Sequence, residues 1–267
     1  MSGALVATAP LVFITGASSG IGQALAAEYA GAGWRLALVA RRGAELQAWA
    51  DALGLGPDRV GIYPADVADI DAIVGAGRRC LERQGLPQVV IANAGISVGI
   101  DSAEREDLDV LRETLAVNNV GMAATFQPFL AAMRVRRSGT LVGVASVAAI
   151  RGLPGHAAYC ASKAAVVAYC ESLRGECRPD GIRVVTLLPG YIATPLTSRN
   201  PYPMPFLMSP PDFAARARRT IEAGIAYRVI PWPMGVVAKL LRLLPNPLFD
   251  RIFAGRGRKP RRAATPP

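Results

Sequence analysis

The chain is poor in the side chains from which metal centres are built. Its 267 residues include one histidine, His156, and four cysteines, at positions 80, 160, 170 and 177, with no CxxC pair among them. A site of clustered histidine ligands is excluded, and thiolate clusters lack the spacing, so no metal is expected. Cysteines with no CxxC pair fit a reducing compartment best. Long apolar runs are also missing. The run over residues 140–150 is too short to span a bilayer. The stretch 236–253 is broken by Lys239, Arg242, Pro245, Pro247 and Asp250. No basic residue precedes the first apolar run, which argues against a secretory signal, and a cytoplasmic protein is expected.

Lysine is scarce: Lys163, Lys239 and Lys259 are three of 30 cations, the rest being arginine. Genome composition can account for such a bias, yet a lysine in an otherwise arginine-only region stands out. Acids thin out toward the C-terminus. Residues 213–267 hold 12 basic and 2 acidic side chains, whereas the first 212 hold 18 of each, so the net charge of +10 resides in the last fifth.

With 51% hydrophobic residues the chain can bury a sizeable core, and its length suits one domain. Short apolar runs at 11–14, 36–40, 60–63, 89–92, 140–145 and 184–188 alternate with helix-period segments. That alternation predicts an α/β fold with a doubly wound parallel sheet. The domain is expected over 1–230, with a last strand at 227–230. Residues 231–267 form an amphipathic, basic extension, expected to be disordered from about 255. Between them, six prolines within 195–211 mark a long loop of the kind that serves as a lid, and residues 191–208 are expected to line a pocket.

Four features point to chemistry. The turn 15–22, TGASSGIG, links the first strand to the first helix, and its glycines Gly16, Gly20 and Gly22 permit close backbone approach to a pyrophosphate; a loop that needs small residues is the alternative. The second strand ends in Arg41-Arg42 where an acid would bind a ribose 2′-hydroxyl. Arginine there pairs with a 2′-phosphate and selects NADP(H), unless the pair is merely solvated. Tyr159 and Lys163, four apart on a helix, share one face, where an ammonium would lower the phenol pKa toward working pH. Alone, such a pair is as easily a surface coincidence, and Ser146 at a strand end is as easily a turn residue. Finally, Asn118 interrupts the apolar helical row Leu108, Leu111, Leu115, Met122, Phe126, Phe129 and Met133; it is either a satisfied core amide or a functional one.

Taken together, these residues resemble the short-chain dehydrogenase/reductase family over roughly residues 10–230. The ordered set is TGASSGIG at 15–22, Asp66-Val67, Asn93-Ala94-Gly95, Asn118, Ser146, Tyr159-Cys160-Ala161-Ser162-Lys163, and Pro189-Gly190 followed by Thr194. The resemblance implies a Rossmann fold with strand order 3-2-1-4-5-6-7. It implies Tyr159 as general acid/base, Lys163 as the cation that tunes it and binds the nicotinamide ribose, Ser146 on the substrate oxygen, and Asn118 anchoring a water that relays protons to Lys163. On the cofactor side it implies Gly16, Ser18, Ser19, Gly20, Ile21 and Gly22 at the phosphates, Arg41 and Arg42 at the 2′-phosphate, and Asp66 and Val67 at the adenine. Asn93, Ala94 and Gly95 would support the sheet and cofactor; Pro189, Gly190 and Ile192 would complete the site, with Thr194 at the carboxamide. Ala92, Ala145 and Ala149 depart from the family's frequent asparagine, serine and glycine, which bears on local packing rather than chemistry.

The expected activity is NADP(H)-dependent interconversion of a carbonyl and a secondary alcohol on an apolar or lipid-like small molecule, by a homodimer or homotetramer. The alternative is a non-catalytic NADP-binding scaffold that docks through its tail. For that tail, the apolar residues Val236, Val237, Leu240, Leu241 and Leu244 on one helical face first suggest packing on the domain or across a subunit interface. Peripheral contact with anionic lipid at the inner membrane surface is second, and an acidic partner such as an acyl carrier third; no specific nucleic acid is expected.

Overall fold

The β-rich apolar runs become seven strands of one sheet in the order β3-β2-β1-β4-β5-β6-β7. They are β1 (Leu11–Thr15), β2 (Arg35–Val39), β3 (Val60–Ile62), β4 (Val89–Ala92), β5 (Gly139–Val144), β6 (Ile182–Pro189) and β7 (Tyr227–Ile230). All pairings are parallel. The computed structural model describes residues 9–198, 200–255 and 257–262. β1 is buried on both faces because successive side chains point to opposite sides. Leu11 and Phe13 enter one core with Phe126, Phe129 and Leu173. Val12 and Ile14 enter the other with Leu25, Tyr29 and Phe213.

The helices that cover these faces are α1 (Gly20–Gly31), α2 (Gly43–Ala52), α3 (Ile70–Gln84), α4 (Asp107–Leu115), α5 (Gly121–Arg136), α6 (Ala157–Cys177) and α7 (Pro210–Glu222). The strand order reverses between β1 and β4, so a crevice opens at the carboxyl ends of those strands. Loops that leave β1, β2, β4, β5 and β6 meet there.

One expected helix is divided. The row starting at Leu108 reads as continuous, but a π-helical turn, Ala116–Val120, separates α4 from α5. The wider turn shifts the phase of the stripe. Met122, Phe126, Phe129 and Met133 stay buried, while Leu108 faces solvent and Val110 and Thr114 go inward in its place. Single π turns of this kind recur at functional sites.

The extension is the second departure. It forms α8 (Trp232–Leu243) and α9 (Asn246–Phe253). Of the apolar row on α8, Val237 and Leu241 line a cavity with buried Met234, Val237 remaining 36% exposed, whereas Val236 and Leu240 are 48% and 60% exposed and lie outside that lining. Residues 257–262, within the stretch expected to be disordered, run back along the domain as a strap. Gly99 N donates to Pro260 O at 3.0 Å. Arg258 lies 3.8 Å from Asp101, Arg261 2.7 Å from Asp107, and Arg262 2.7 Å from Glu113. Acids on the α4 side match the cations that the sequence leaves unmatched locally. Residues 256 and 263–267 of the expected disordered tail lie outside the described residues.

Candidate active site

The glycine turn is shaped by contacts that exclude side chains. Gly16 has φ +67° and Gly20 φ +56°, a region that favours glycine. A Cβ on Gly16 would sit 2.8 Å from Ala94 Cα, and one on Gly22 would overlap the Gly16 carbonyl oxygen. Asn93 locks this approach, its Nδ2 donating to Thr15 O at 3.0 Å. Ser19 precedes α1 in extended backbone without a side-chain cap, and no acid occupies the first turn. The orphan amides there, on Gly20, Ile21 and Gly22, suit an anion, so the site fits a dinucleotide pyrophosphate. Gly20 also faces Thr194, whose Cβ would lie 3.2 Å from an added methyl.

At the end of β2, Arg42 Nη2 donates to Ser18 Oγ at 3.2 Å and its Nη1 lies 3.1 Å from Glu45. Arg41 lies 3.6 Å from Asp66. Both arginines are exposed beside the glycine turn. Val67 packs against α5, where a Cβ on Gly121 would meet its carbonyl oxygen at 2.6 Å.

The π turn explains how Asn118 and Lys163 come together. Asn118 is 2% exposed; its Oδ1 accepts from Ile96 N at 2.8 Å, and its Nδ2 donates to Ile96 O at 3.0 Å and Ser162 Oγ at 2.9 Å. Asn119 Nδ2 donates to Ser162 O at 2.8 Å. Two successive amides thus grip the residue before Lys163, and Ser162 Oγ donates to Tyr159 O at 2.8 Å. Asn118 is a satisfied amide, and its side chain is committed to the loop after β4 and to α6. Gly95 closes the gap: a Cβ there would lie 3.1 Å from Asn118 Oδ1 and 3.4 Å from Lys163 Nζ.

Lys163 is buried, and its Nζ donates to Val144 O at 2.8 Å and stands 5.8 Å from the Tyr159 ring centroid. Ser146, two residues beyond that carbonyl, is buried, accepts from Ala148 N at 3.2 Å and hydrogen-bonds Tyr159. The electrostatics differ from the sequence expectation. Burial pushes the Tyr159 phenol up to about 12, with the Ser146 bond pulling it back, and burial pushes the Lys163 ammonium down to about 8. Desolvation by the chain outweighs the cation expected to lower the phenol.

Ser146 and Tyr159 border a cavity of about 220 Å³ with a mostly apolar lining. The expected segment 191–208 supplies Tyr191, Leu196 and Tyr202. This loop is closed at its base, where Ala193 N donates to Met208 O at 2.9 Å and Met208 N to Tyr191 O at 3.0 Å, with Ile192 buried between. Gly190 N donates to Ile230 O at 2.8 Å, tying the residue after Pro189, the last of β6, to β7. His156 Nδ1 lies 3.0 Å from Pro154 O, so it carries the proton, and Nε2 accepts from Tyr202 OH at 3.0 Å. Burial lowers the His156 pKa and keeps this pair neutral.

Sequence reasoning missed the far wall. Met234, Val237 and Leu241 of α8, Phe249 and Phe253 of α9, and Lys259 of the strap line the same cavity. Arg151 fastens that wall. It donates to Leu241 O, to Leu244 O at 2.7 Å and to Asn246 Oδ1 at 3.0 Å, and its guanidinium lies 3.8 Å from the Phe249 ring centroid. The one available signal was the cluster of prolines and aromatics after 230.

Comparison with known proteins agrees with this geometry. Residues 10–202 match the family model for short chain dehydrogenase. An uncharacterized oxidoreductase of Myxococcus xanthus is 40% identical over 237 residues, covering 89% of this chain and 93% of that protein. An 11-beta-hydroxysteroid dehydrogenase-like protein of Arabidopsis thaliana is 34% identical over 224 residues, or 82% of this chain and 71% of that one. Among solved structures, an alcohol dehydrogenase from the archaeon Thermococcus sibiricus superposes with a TM-score of 0.74 at 27% identity, covering 83% of this chain and 95% of that one. The chain therefore belongs to the short-chain dehydrogenase/reductase family and is a nicotinamide-dependent oxidoreductase.

Proposed function

We propose that the protein interconverts a carbonyl and a secondary alcohol with NADP(H), on an apolar small molecule. The observation that carries this reading is the hydrogen-bonded Ser146 and Tyr159 pair bordering an apolar cavity, with Lys163 behind it. The nicotinamide supplies or takes the hydride. Tyr159 donates the proton to a nascent alkoxide, or removes it from an alcohol, and Ser146 holds that oxygen. Lys163, buried and charged below about pH 8, binds the nicotinamide ribose and offsets negative charge that develops on the phenol. Asn118 and Asn119 act as positioning residues through Ser162. The relay water expected at Asn118 would rest on this frame.

NADP(H) is favoured over NAD(H) because Arg42, next to Ser18 of the glycine turn, and Arg41 stand where a ribose-binding acid would. The Thermococcus sibiricus neighbour is described as complexed with 5-hydroxy-NADP, which supports the same choice. The remaining cofactor contacts are proposed at the turn 16–22, at Asp66 and Val67, at 93–95, and at Pro189, Gly190, Ile192 and Thr194. A non-catalytic scaffold has no use for the Asn118, Ser146, Tyr159 and Lys163 arrangement.

The test is a panel of ketones, aldehydes and acyl thioesters assayed for oxidation of NADPH and of NADH. Reduction of apolar ketones with NADPH preferred is the expected result. Absence of turnover across the panel with either cofactor would overturn the reading.

A further inference from the structure

We infer that Lys259 is a specificity determinant, brought to the cavity by the C-terminal strap, that selects substrates bearing a carboxylate. The inference rests on the proposed function and names the substrate class of that site. It starts from a mismatch in the strap. Among the described residues, Arg258, Arg261 and Arg262 each face a carboxylate on the α4 side, at 3.8, 2.7 and 2.7 Å. Lys259 faces none. Its Nζ donates to Ser97 Oγ at 2.9 Å and Leu196 O at 3.3 Å, both neutral acceptors. An ammonium has three N–H donors, so these two partners leave one.

The surroundings give that donor a direction. Lys259 lines the cavity bordered by Ser146 and Tyr159. Arg151, the other strong cation on its wall among the described residues, is spent on carbonyls of the α8 end, on Asn246 and on the Phe249 ring. His156 is neutral and already paired with Tyr202. Burial pushes the Lys259 ammonium down to about 8, with no acid among the described residues drawing it back. An uncompensated cation in a partly apolar pocket is costly, and an arriving carboxylate relieves that cost through a charge-assisted hydrogen bond. Leu241, Phe249 and Phe253 meanwhile offer contact to an apolar body. Oxo- or hydroxycarboxylic acids with an aliphatic or ring body satisfy all three: carbonyl at Tyr159, body on the extension, carboxylate at Lys259. A compact ammonium at this one position of an otherwise arginine-bearing strap suits a single charged contact rather than a bidentate clamp.

Calorimetric titration of octanoate and methyl octanoate into the NADP-saturated protein tests this without turnover. Wild type is expected to bind octanoate about tenfold more tightly than the ester, the scale of one charged hydrogen bond. Lys259→Met should abolish that preference, and Lys259→Arg should keep most of it. If Lys259 only fastens the strap, Lys259→Met weakens both ligands equally and the preference survives, which overturns the proposal. Octanoate that binds no better than its ester to wild type, or not at all, overturns it too. Methyl-keto carboxylates and their esters, assayed in parallel with NADPH, separate this idea from the one beneath it. A Lys259-dependent octanoate preference with no carbonyl reduced would retain the anion site and reject the oxidoreductase reading. Ketone reduction with no Lys259-dependent preference would do the reverse.

Discussion

The two sides of the crevice are built by different means. On the side proposed for the cofactor, each group sits within a few residues of a strand end, and its position follows from the sheet: the glycine turn after β1, Arg41 and Arg42 after β2, and Asn93 after β4. On the substrate side, the wall is assembled by contacts between residues far apart in the chain. Arg151 holds the carbonyls of Leu241 and Leu244, and Lys259 reaches Ser97 across 162 positions. The first kind of site is specified by local spacing. The second exists only after the extension has docked, so it can change while the cofactor side stays as it is.

If that division holds, substitutions on one side should leave the other intact. The largest effect is expected at the junction. Tyr159→Phe removes the transferable proton while keeping the ring, and kcat should fall at least ~100-fold with NADPH affinity nearly unchanged. Stopped assays with a reducible ketone and a fluorescence titration check both halves. Lys163→Ala should damage turnover and NADPH binding together, because this side chain is proposed to serve both sides; loss of kcat alone would break its second assignment. Next in size is cofactor choice. Arg41→Ala with Arg42→Ala should cost ~10-fold or more in NADPH affinity, the scale of a charged pair to phosphate, and leave NADH affinity alone.

A pH profile sharpens the same comparison. The folded pKa of Lys163 is depressed from 10.5 to about 8, so the ammonium is present below pH 8 and is lost as pH rises through it. With NADPH subsaturating, kcat/KM should therefore decline above about pH 8. Lys259 is also depressed to about 8, but it lies on the substrate side, so the decline should survive Lys259→Arg. A profile flat to pH 9 in wild type would contradict the assignment.

Much of the cofactor side was legible in the sequence because its signals are short. Glycines at 16, 20 and 22, the strand-end arginines, and tyrosine and lysine four apart are all readable without tertiary knowledge, and the alternating runs predict the parallel sheet, whose strand order only the family resemblance implied. Three things were not legible. The π turn adds one residue's phase to the helical row at Asn118, and periodicity counted at 3.6 cannot register that. Desolvation of Tyr159 and Lys163 depends on how tightly α6 packs beneath β5, so the direction of the phenol shift was misjudged from charge alone. The strap's ion pairs depend on Asp101, Glu104, Asp107 and Glu113 being near it in space, while in sequence the tail reads as unbalanced positive charge.

The division of the site is tested most directly on Arg151→Ala, which frees the extension without touching a cofactor contact. Loss of its bonds to the α8 carbonyls is worth on the order of 1–3 kcal/mol, and Tm should drop by about 2–4 °C per kcal/mol. The decisive measurement is NADPH Kd and ketone KM on the same preparation. Kd should equal that of wild type while KM rises several-fold. Equal weakening of both, or a wild-type KM with the extension loosened, would contradict a substrate wall that docks independently of the cofactor side.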